Sequence, residues 1–368
     1  MLFNKKLLAW FQENGRNLPW RGINDPYKIW LSEIILQQTR IEQGRDYYMR
    51  FTEQYPTVTH LANASEEEVL KTWQGLGYYS RARNLHASAQ FIANQLNGQF
   101  PNSYEGLLQL KGVGKYTAAA IASFAYRLPY PVIDGNVYRF ISRLYGIDTP
   151  IGTDAAYKQF ETLLLKLIDR EQPDLFNHAM MDFGSTYCKT TGCNCKECIF
   201  QNECVAWKTQ RVEFLPVKGN TVTIKHRWFY YYFIVWEQQG NQTTMLHRRE
   251  GKDIWKGLYE FPLIETNHAL TQKELHKQNS HIVSLIGNSE AQQIIISSPI
   301  KHQLTHRTIQ ATFIYLHMGN NIEVQLLEGE QKFSIEEAKK LPISRLIDIY
   351  TQQIHWMENG THKQLSDI

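Results

Sequence analysis

Residues 110–126 read LKGVGKYTAAAIASFAY. Gly112 and Gly114 interrupt a run otherwise rich in helix formers. Glycine takes backbone conformations closed to other residues, so the stretch predicts a helix end, a tight turn and a second helix. Ser103 can cap the short helix that leads into the turn. Such a turn serves either of two ends. It packs one helix on another, or it lets a phosphate approach bare backbone at the start of the second helix, where N–H groups point outward. In the second case Lys115 adds a point charge, and the hairpin grips a nucleic-acid backbone without reading sequence.

Working outward, residues 1–208 read as almost entirely helical. Asp25-Pro26 is an N-cap with proline at the first helical position, launching YKIWLSEIILQQT. Ser65 and Glu68 form a capping box before VLKTW. Gly75 and Gly77 break the chain before YYSRARNLHASAQFIANQL. Asp134 precedes GNVYRFISRLYG, a further helix spans about 154–169, and Pro173 opens the last one, which runs into a cysteine cluster. The texture changes after about residue 210. A linker is expected over 209–224, an α+β domain over 225–355 and a tail over 356–368. HRWFYYYFIVWEQQGNQTTMLHRRE predicts two strands joined by a Gly240-Asn241 turn. A third strand is expected at 309–318 and a helix around Ile335 to Lys340. The fold class is therefore multidomain, an all-α domain followed by an α+β domain.

Composition sets outer limits. The 368 residues suit two domains, and 43% hydrophobic with 20% charged residues is globular. The net charge is only +3, so a nucleic-acid role must be argued from local placement. No apolar run approaches the ~20 residues of a membrane helix. The N-terminus shows no secretory pattern, which makes a cytoplasmic location the expectation, nucleoid-associated if the source is bacterial. All five cysteines fall between 188 and 204, an odd number in one tract, which does not look like a disulfide framework.

The spacing is Cys188-x6-Cys195-x2-Cys198-x5-Cys204, with Cys193 left over. Four thiolates in one loop suit an iron–sulfur cubane. Structural zinc is the alternative, but only Cys195/Cys198 is a short-spaced pair of the zinc type. C-x6-C-x2-C-x5-C, LKGVGKYTAAAI and VIDGNVYR together resemble the endonuclease III, or helix-hairpin-helix-GPD, superfamily of base-excision glycosylases. The resemblance covers residues 5–208. SEIILQQT and GLGYYSRARNLH are similar to the adenine-glycosylase branch, the MutY family. Residues 225–355, with WKGLYEFP as the clearest stretch, resemble that family's C-terminal domain, which is Nudix-like.

The resemblance implies a monofunctional glycosylase, acting as a monomer on duplex DNA, that flips and removes adenine opposite 8-oxoguanine or guanine. It implies one [4Fe-4S] cluster on Cys188, Cys195, Cys198 and Cys204. Glu33 would be the acid. It sits inside the apolar pattern Ile29, Trp30, Ile34, where burial raises a carboxyl pKa, although a half-buried glutamate paired with arginine fits the same pattern. Asp134 would be the carboxylate facing the sugar cation, kept ionised by cap hydrogen bonds; a plain N-cap is the other reading. Asn136 would orient the carboxylates. Bifunctional relatives carry a lysine at the position of Tyr116, and a tyrosine cannot form the imine. Gly112, Gly114 and Lys115 would hold phosphate. Gln37, Gln38 and Thr39 would enter the minor groove. Leu76 and Tyr78 would lie near the orphaned base, and Arg81 near phosphate. Arg21, Trp20 and Ile41 would surround adenine, though Trp20 also reads as core. His178 stands where relatives carry Glu or Gln; it alters the pocket or simply packs. In HQLTHR, Leu304, Thr305 and His306 would probe the oxidised guanine, unless the segment is a hairpin tip of no consequence.

Three rivals remain open to the residues. One is a lyase on oxidised pyrimidines, opposed by Tyr116. Another is a non-enzymatic DNA-binding scaffold, opposed by Glu33 and Asp134 occurring together. The third is a Nudix hydrolase, opposed by LIETNHALTQKELHKQ, which lacks the glutamate row that holds Mg²⁺.

Overall fold

The computed structural model describes residues 2–219, 224–287, 291–320 and 324–354. The expected tail, 356–368, lies outside them, as do residues 220–223 of the expected linker and residue 355. The described chain forms two compact units, one of residues 2–63 and 84–219, the other of residues 64–83 and 224–354. Among the described residues no helix is long and apolar enough to cross a membrane.

The first unit is helical: α1 (Leu2–Asn14), α2 (Pro26–Leu36), α3 (Ile41–Gln54) and α4 (Val58–Asn63) come before residues 64–83. Residues 64–83 contain α5 (Glu66–Trp73) and the start of α6 (Ser80–Gln95). Then follow α7 (Tyr104–Leu108), α8 (Lys115–Tyr126), α9 (Gly135–Tyr145), α10 (Asp154–Leu167), α11 (Pro173–Asp182) and α12 (Val205–Lys208). The caps are those the sequence announced. The Asp25 side chain accepts from the N–H groups of Tyr27 and Lys28, Ser103 from Gly106, and Ser65 with Glu68 closes a capping box. Leu7, Trp10, Phe140, Ile141, Phe160, Phe176 and Phe183 form one core that binds α1, α9, α10 and α11 together. After α11 the chain winds one π turn, Phe183–Tyr187. Residues 209–219, expected as linker, are partly fastened down: Leu215 is buried, its carbonyl accepts from Arg143 Nε at 3.0 Å, and Ile151 bridges Lys218.

In the second unit an eight-stranded sheet runs β3-β2-β1-β7-β5, with β4 on β1, β6 on β7 and β8 on β2. The strands are β1 (Lys225–Gln238), β2 (Asn241–Arg248), β3 (Tyr259–Glu260), β4 (Leu263–Thr266), β5 (Gln293–Ile296), β6 (Ile300–Gln303), β7 (Arg307–Asn320) and β8 (Gln331–Ser334). The helices are α13 (Gln272–Leu285), α14 (Ile335–Ala338) and α15 (Arg345–Gln353). β1 and β7 pair in parallel from Lys225↔Arg307 onward. The run FYYYFIVW lacks polar alternation because both faces of β1 are covered. Tyr230, Tyr232 and Ile234 pack in a cluster with Ile282 and Ile286 at α13. On the other face Phe313 stacks on Tyr350 of α15 with ring centroids 4.0 Å apart.

The structure corrects the hairpin between β1 and β2. Gln238 pairs with Asn241, so the turn is Gln239-Gly240, one residue earlier than expected. Both turn residues have positive φ, the requirement of a tight hairpin turn, and Asn241 is released to the strand. Five strands and two helices of this unit were not anticipated. The Thr271–Glu274 capping box at α13 was available as a signal.

Candidate active site

α2 packs against α8, and this sets Glu33 against Tyr116. The Tyr116 hydroxyl donates to Glu33 Oε2 at 2.7 Å. Glu33 is 7% exposed. Burial pushes its pKa up to about 7, the Tyr116 hydrogen bond and the Arg21 charge pull the other way, and Asp134 adds to the rise. Tyr116 is raised well above the phenol range by burial and by both carboxyl groups, so it stays a donor.

Asp134 N-caps α9. It accepts from the backbone N–H groups of Asn136 at 2.9 Å and Val137 at 2.7 Å, and from Asn136 Nδ2 at 2.7 Å. Burial nevertheless raises its pKa, against those three bonds and the charge of Arg139. The cap alone therefore does not decide its ionisation. Of the two carboxyls, Asp134 accepts from three N–H donors and Glu33 from a single phenol, so hydrogen bonding favours the anion more at Asp134. Gly135, next to it, leaves open space where a Cβ would stand.

Two residues absent from the sequence reading hold this corner. Arg139 Nη2 donates to Asn136 Oδ1 at 2.8 Å and its Nε to the Cys188 carbonyl at 2.8 Å. The i,i+3 spacing of Asn136 and Arg139 was the available signal. A Cβ on Gly184 would meet the Asn136 carbonyl oxygen at 2.6 Å, so the π turn passes too close for any other residue. The second missed residue is Asp182. It is fully buried and receives Arg21 through Nη1 and Nη2, both at 2.7 Å, together with the Arg16 backbone N–H and guanidinium. Although burial opposes it, these hydrogen bonds bring its pKa down to about 2. No local pattern could link residues 161 positions apart.

His178 stacks on Phe124, rings 9° from parallel and 3.9 Å apart. Burial, then the charge of Arg21, lowers its pKa to about 3, so the ring is neutral. Trp20 is core, edge-on to Tyr48. Ile41 begins α3, half-buried.

At the hairpin, Gly112 has φ +80° and a Cβ there would strike Asn84 at 2.8 Å. Gly114 is different. Its backbone is extended, and a Cβ would meet nothing within 4 Å. The fold does not require glycine at 114; a ligand pressed onto the exposed first turn of α8 would. Lys115 stands exposed there, its ammonium 4.4 Å from the centre of the Tyr157 ring. Gln37 Nε2 donates to Thr117 at 3.2 Å, Gln38 is left-handed with φ +56°, and Thr39 closes the turn.

In the second unit Leu76 is buried, whereas Tyr78 is half exposed with φ +48°. The Arg81 guanidinium lies between the rings of Trp73 and Tyr78 and is largely buried, its pKa lowered to about 10 by desolvation. It therefore braces the loop in this structure rather than standing in solvent. Thr305 and His306 are exposed at the tip between β6 and β7, with Leu304 half-buried. The hydroxyls of Tyr78 and Thr305 are hydrogen-bonded, which joins two segments far apart in sequence.

The cysteine loop supplies the right chemistry for a cluster. Cys188, Cys195, Cys198 and Cys204 line one small cavity with Phe140, Phe183 and Phe200, and none is in a disulfide. Arg143 Nη1 approaches Cys188 Sγ at 3.5 Å, and the Phe200 N–H points at Cys198 Sγ at 3.5 Å. Cys193 is not among the lining residues. Among the described residues no three His, Cys, Asp or Glu side chains converge on a single-ion site.

Comparison with known proteins agrees with a helical domain followed by a sheet-based one. Residues 31–169 match the HhH-GPD superfamily of base excision DNA repair proteins, and residues 231–353 match the NUDIX domain. An adenine DNA glycosylase of Buchnera aphidicola (subsp. Baizongia pistaciae) is 32% identical over 323 residues, 86% of each chain. This chain belongs to the adenine DNA glycosylase family. The adenine DNA glycosylase of Homo sapiens is 39% identical over 220 residues, 57% of this chain and 40% of that one. Among solved structures, a thermostable thymine-DNA glycosylase superposes with TM-score 0.53 at 27% identity, over 56% of this chain and 96% of its own. Membership in the adenine DNA glycosylase family carries the two-domain architecture, a helix-hairpin-helix domain followed by a Nudix-like one.

Proposed function

We propose that the chain is a monofunctional glycosylase of base excision repair that removes adenine mispaired with 8-oxoguanine or guanine. One observation carries this reading: a buried Glu33 with pKa about 7, bonded to Tyr116 and electrostatically coupled to Asp134. Two carboxyls in unlike surroundings can divide acid and anion roles. Protonated Glu33 gives its proton to the flipped adenine as the bond to C1′ breaks and the bond electrons leave with the base. Ionised Asp134, oriented by Asn136, faces the developing sugar cation. Water then adds to C1′ and loses a proton. Tyr116 holds Glu33 and offers no amine, so no imine forms. DNA is held at Gly112, Gly114 and Lys115, with Gln37, Gln38 and Thr39 in the groove, and Arg21 beside the adenine. Thr305, His306, Leu304, Tyr78 and Leu76 serve the opposite base.

Cys188, Cys195, Cys198 and Cys204 would hold a [4Fe-4S] cluster, which fastens the end of the helical domain. Thiols spread around one cavity suit a cluster better than a single ion. Purified protein should carry iron and sulfide; Cys198→Ser should lose them and Cys193→Ser keep them. Stoichiometric zinc without iron in anaerobically purified protein would refute the assignment.

The activity is tested on duplexes with adenine opposite 8-oxoguanine or guanine. Adenine should be released, with strands intact until alkali cleaves the abasic sites. Strand breakage without alkali, or a borohydride-trapped adduct at the rate of base loss, would overturn the monofunctional reading.

A further inference from the structure

The chain between β2 and β3 closes on itself. Gly257 N–H donates to the Arg249 carbonyl at 2.7 Å and Arg249 N–H to the Leu258 carbonyl at 2.9 Å. Trp255, inside this loop, has φ +60°, a strained conformation that a bulky residue keeps only where its surroundings impose it. Its ring is buried edge-on to Phe229 and 5.8 Å from His302 on β6. Two residues earlier, Asp253 Oδ1 receives the Arg307 guanidinium at the start of β7. Its Oδ2 receives Arg227 at 2.7 Å. Although burial opposes it, Arg307 and Arg227 hold the Asp253 pKa at about 2. The loop thus touches both strands that flank the tip 304–306. It also touches residues 64–83: Arg83 Nη1 donates to the Lys256 carbonyl at 2.6 Å, and Arg248, the β2 residue from which the loop leaves, pairs with Glu66 at 2.7 Å. A Cβ on Gly257, φ +83°, would press on Glu66 and Leu70 at 3.2 Å. The loop is therefore tied to both sides of the Tyr78–Thr305 hydrogen bond.

We propose that the closed loop 249–258 is the positioning element for recognition of the base opposite adenine, with Asp253 and Trp255 clamping the roots of the 304–306 tip. This rests on the reading of that tip as the lesion probe. The loop does not touch the base. It removes freedom from two exposed side chains whose contacts depend on their pose, and pre-organisation of that kind raises discrimination without adding contacts.

The test uses the full-length protein, at fixed salt, and reads the ratio of single-turnover rates for adenine opposite 8-oxoguanine and opposite guanine. Asp253→Asn keeps size and removes charge. It should lower the ratio about five-fold or more, the lower end of a lost base-edge contact, while the rate opposite guanine is unchanged. Asp253→Glu should restore part of it. In a background with both Thr305→Ala and His306→Ala, Asp253→Asn should cost nothing further, because it acts through those two side chains. Equal loss of both rates would mark a merely structural role, and additive loss in that background would show that the loop does not act through the tip; either overturns the proposal. An unchanged ratio where Thr305→Ala lowers it overturns the clamp alone. An unchanged ratio in Thr305→Ala itself overturns the probe and the clamp with it. Should Asp253→Asn fail to fold, Trp255→Phe reads the same ratio with the same outcomes.

Discussion

The Glu33–Asp134 corner and the 304–306 tip are built in opposite ways, and the proposed function gives them opposite tasks. Glu33 is almost wholly buried and shares hydrogen bonds or fields with Tyr116, Asp134 and Arg21. Thr305 and His306 are exposed, and the Thr305 hydroxyl is hydrogen-bonded to that of Tyr78. Chemistry on an N-glycosidic bond needs a carboxyl still protonated near neutrality, and desolvation supplies that. On the proposed reading, the tip must meet a base yet to arrive, and side chains for that task stand in solvent. Adenine is a normal base, so fit in the catalytic pocket cannot justify its removal; the decision must rest on groups that reach the other strand.

The largest expected effects lie at the buried end. Glu33→Gln and Asp134→Asn should each slow adenine release by ~10²–10⁴-fold, the usual contribution of a positioned acid or base, with DNA binding nearly unchanged. Single-turnover rates with a parallel binding titration check this. Wild-type release by Glu33→Gln would return Glu33 to the role of a buried structural residue and dissolve the contrast.

A smaller effect belongs to the exposed end. Thr305→Ala with His306→Ala should reduce preference for adenine opposite 8-oxoguanine over guanine by about 1–3 kcal/mol, the scale of a good base-edge contact, and leave cleavage opposite guanine intact. The ratio of single-turnover constants at fixed salt decides it. Point variants are cleaner than deletion of the second domain. Lys71 donates to the Lys339 and Leu341 carbonyls, Gln74 to Asp348 and Tyr79 to Ile343, so removing residues 215–368 would also strip the partners of residues 64–83.

How far the sequence could be read follows the same contrast. Caps are local, so Asp25, Ser65, Ser103 and Asp134 announced their helices, and Glu33 was conspicuous because a charge interrupted an apolar stripe. The partnership of Arg21 with Asp182 and the contact of Tyr78 with Thr305 join positions with no shared pattern, and only the folded chain brings them together. In the second unit the short strands β3 to β6 and β8 draw their order from pairing with β1, β2 and β7 rather than from their own composition. Arg81 illustrates the limit. The family resemblance places it near phosphate, and the fold sets its guanidinium beside the rings of Trp73 and Tyr78 and within reach of the carbonyls of Leu76 and Gly77, a setting its sequence neighbours did not announce.

Burial raises the Glu33 pKa, and the pH dependence of adenine release at subsaturating protein reports such free-enzyme groups. Glu33 is protonated below its pKa, so release should fall as pH rises through about 7. The Tyr116 hydrogen bond lowers that pKa by stabilising the anion, so in Tyr116→Phe the limb should move to higher pH. Glu33→Gln should have no such limb. A profile flat from pH 6 to 9 in the wild type, or a limb that survives in Glu33→Gln, would contradict the account.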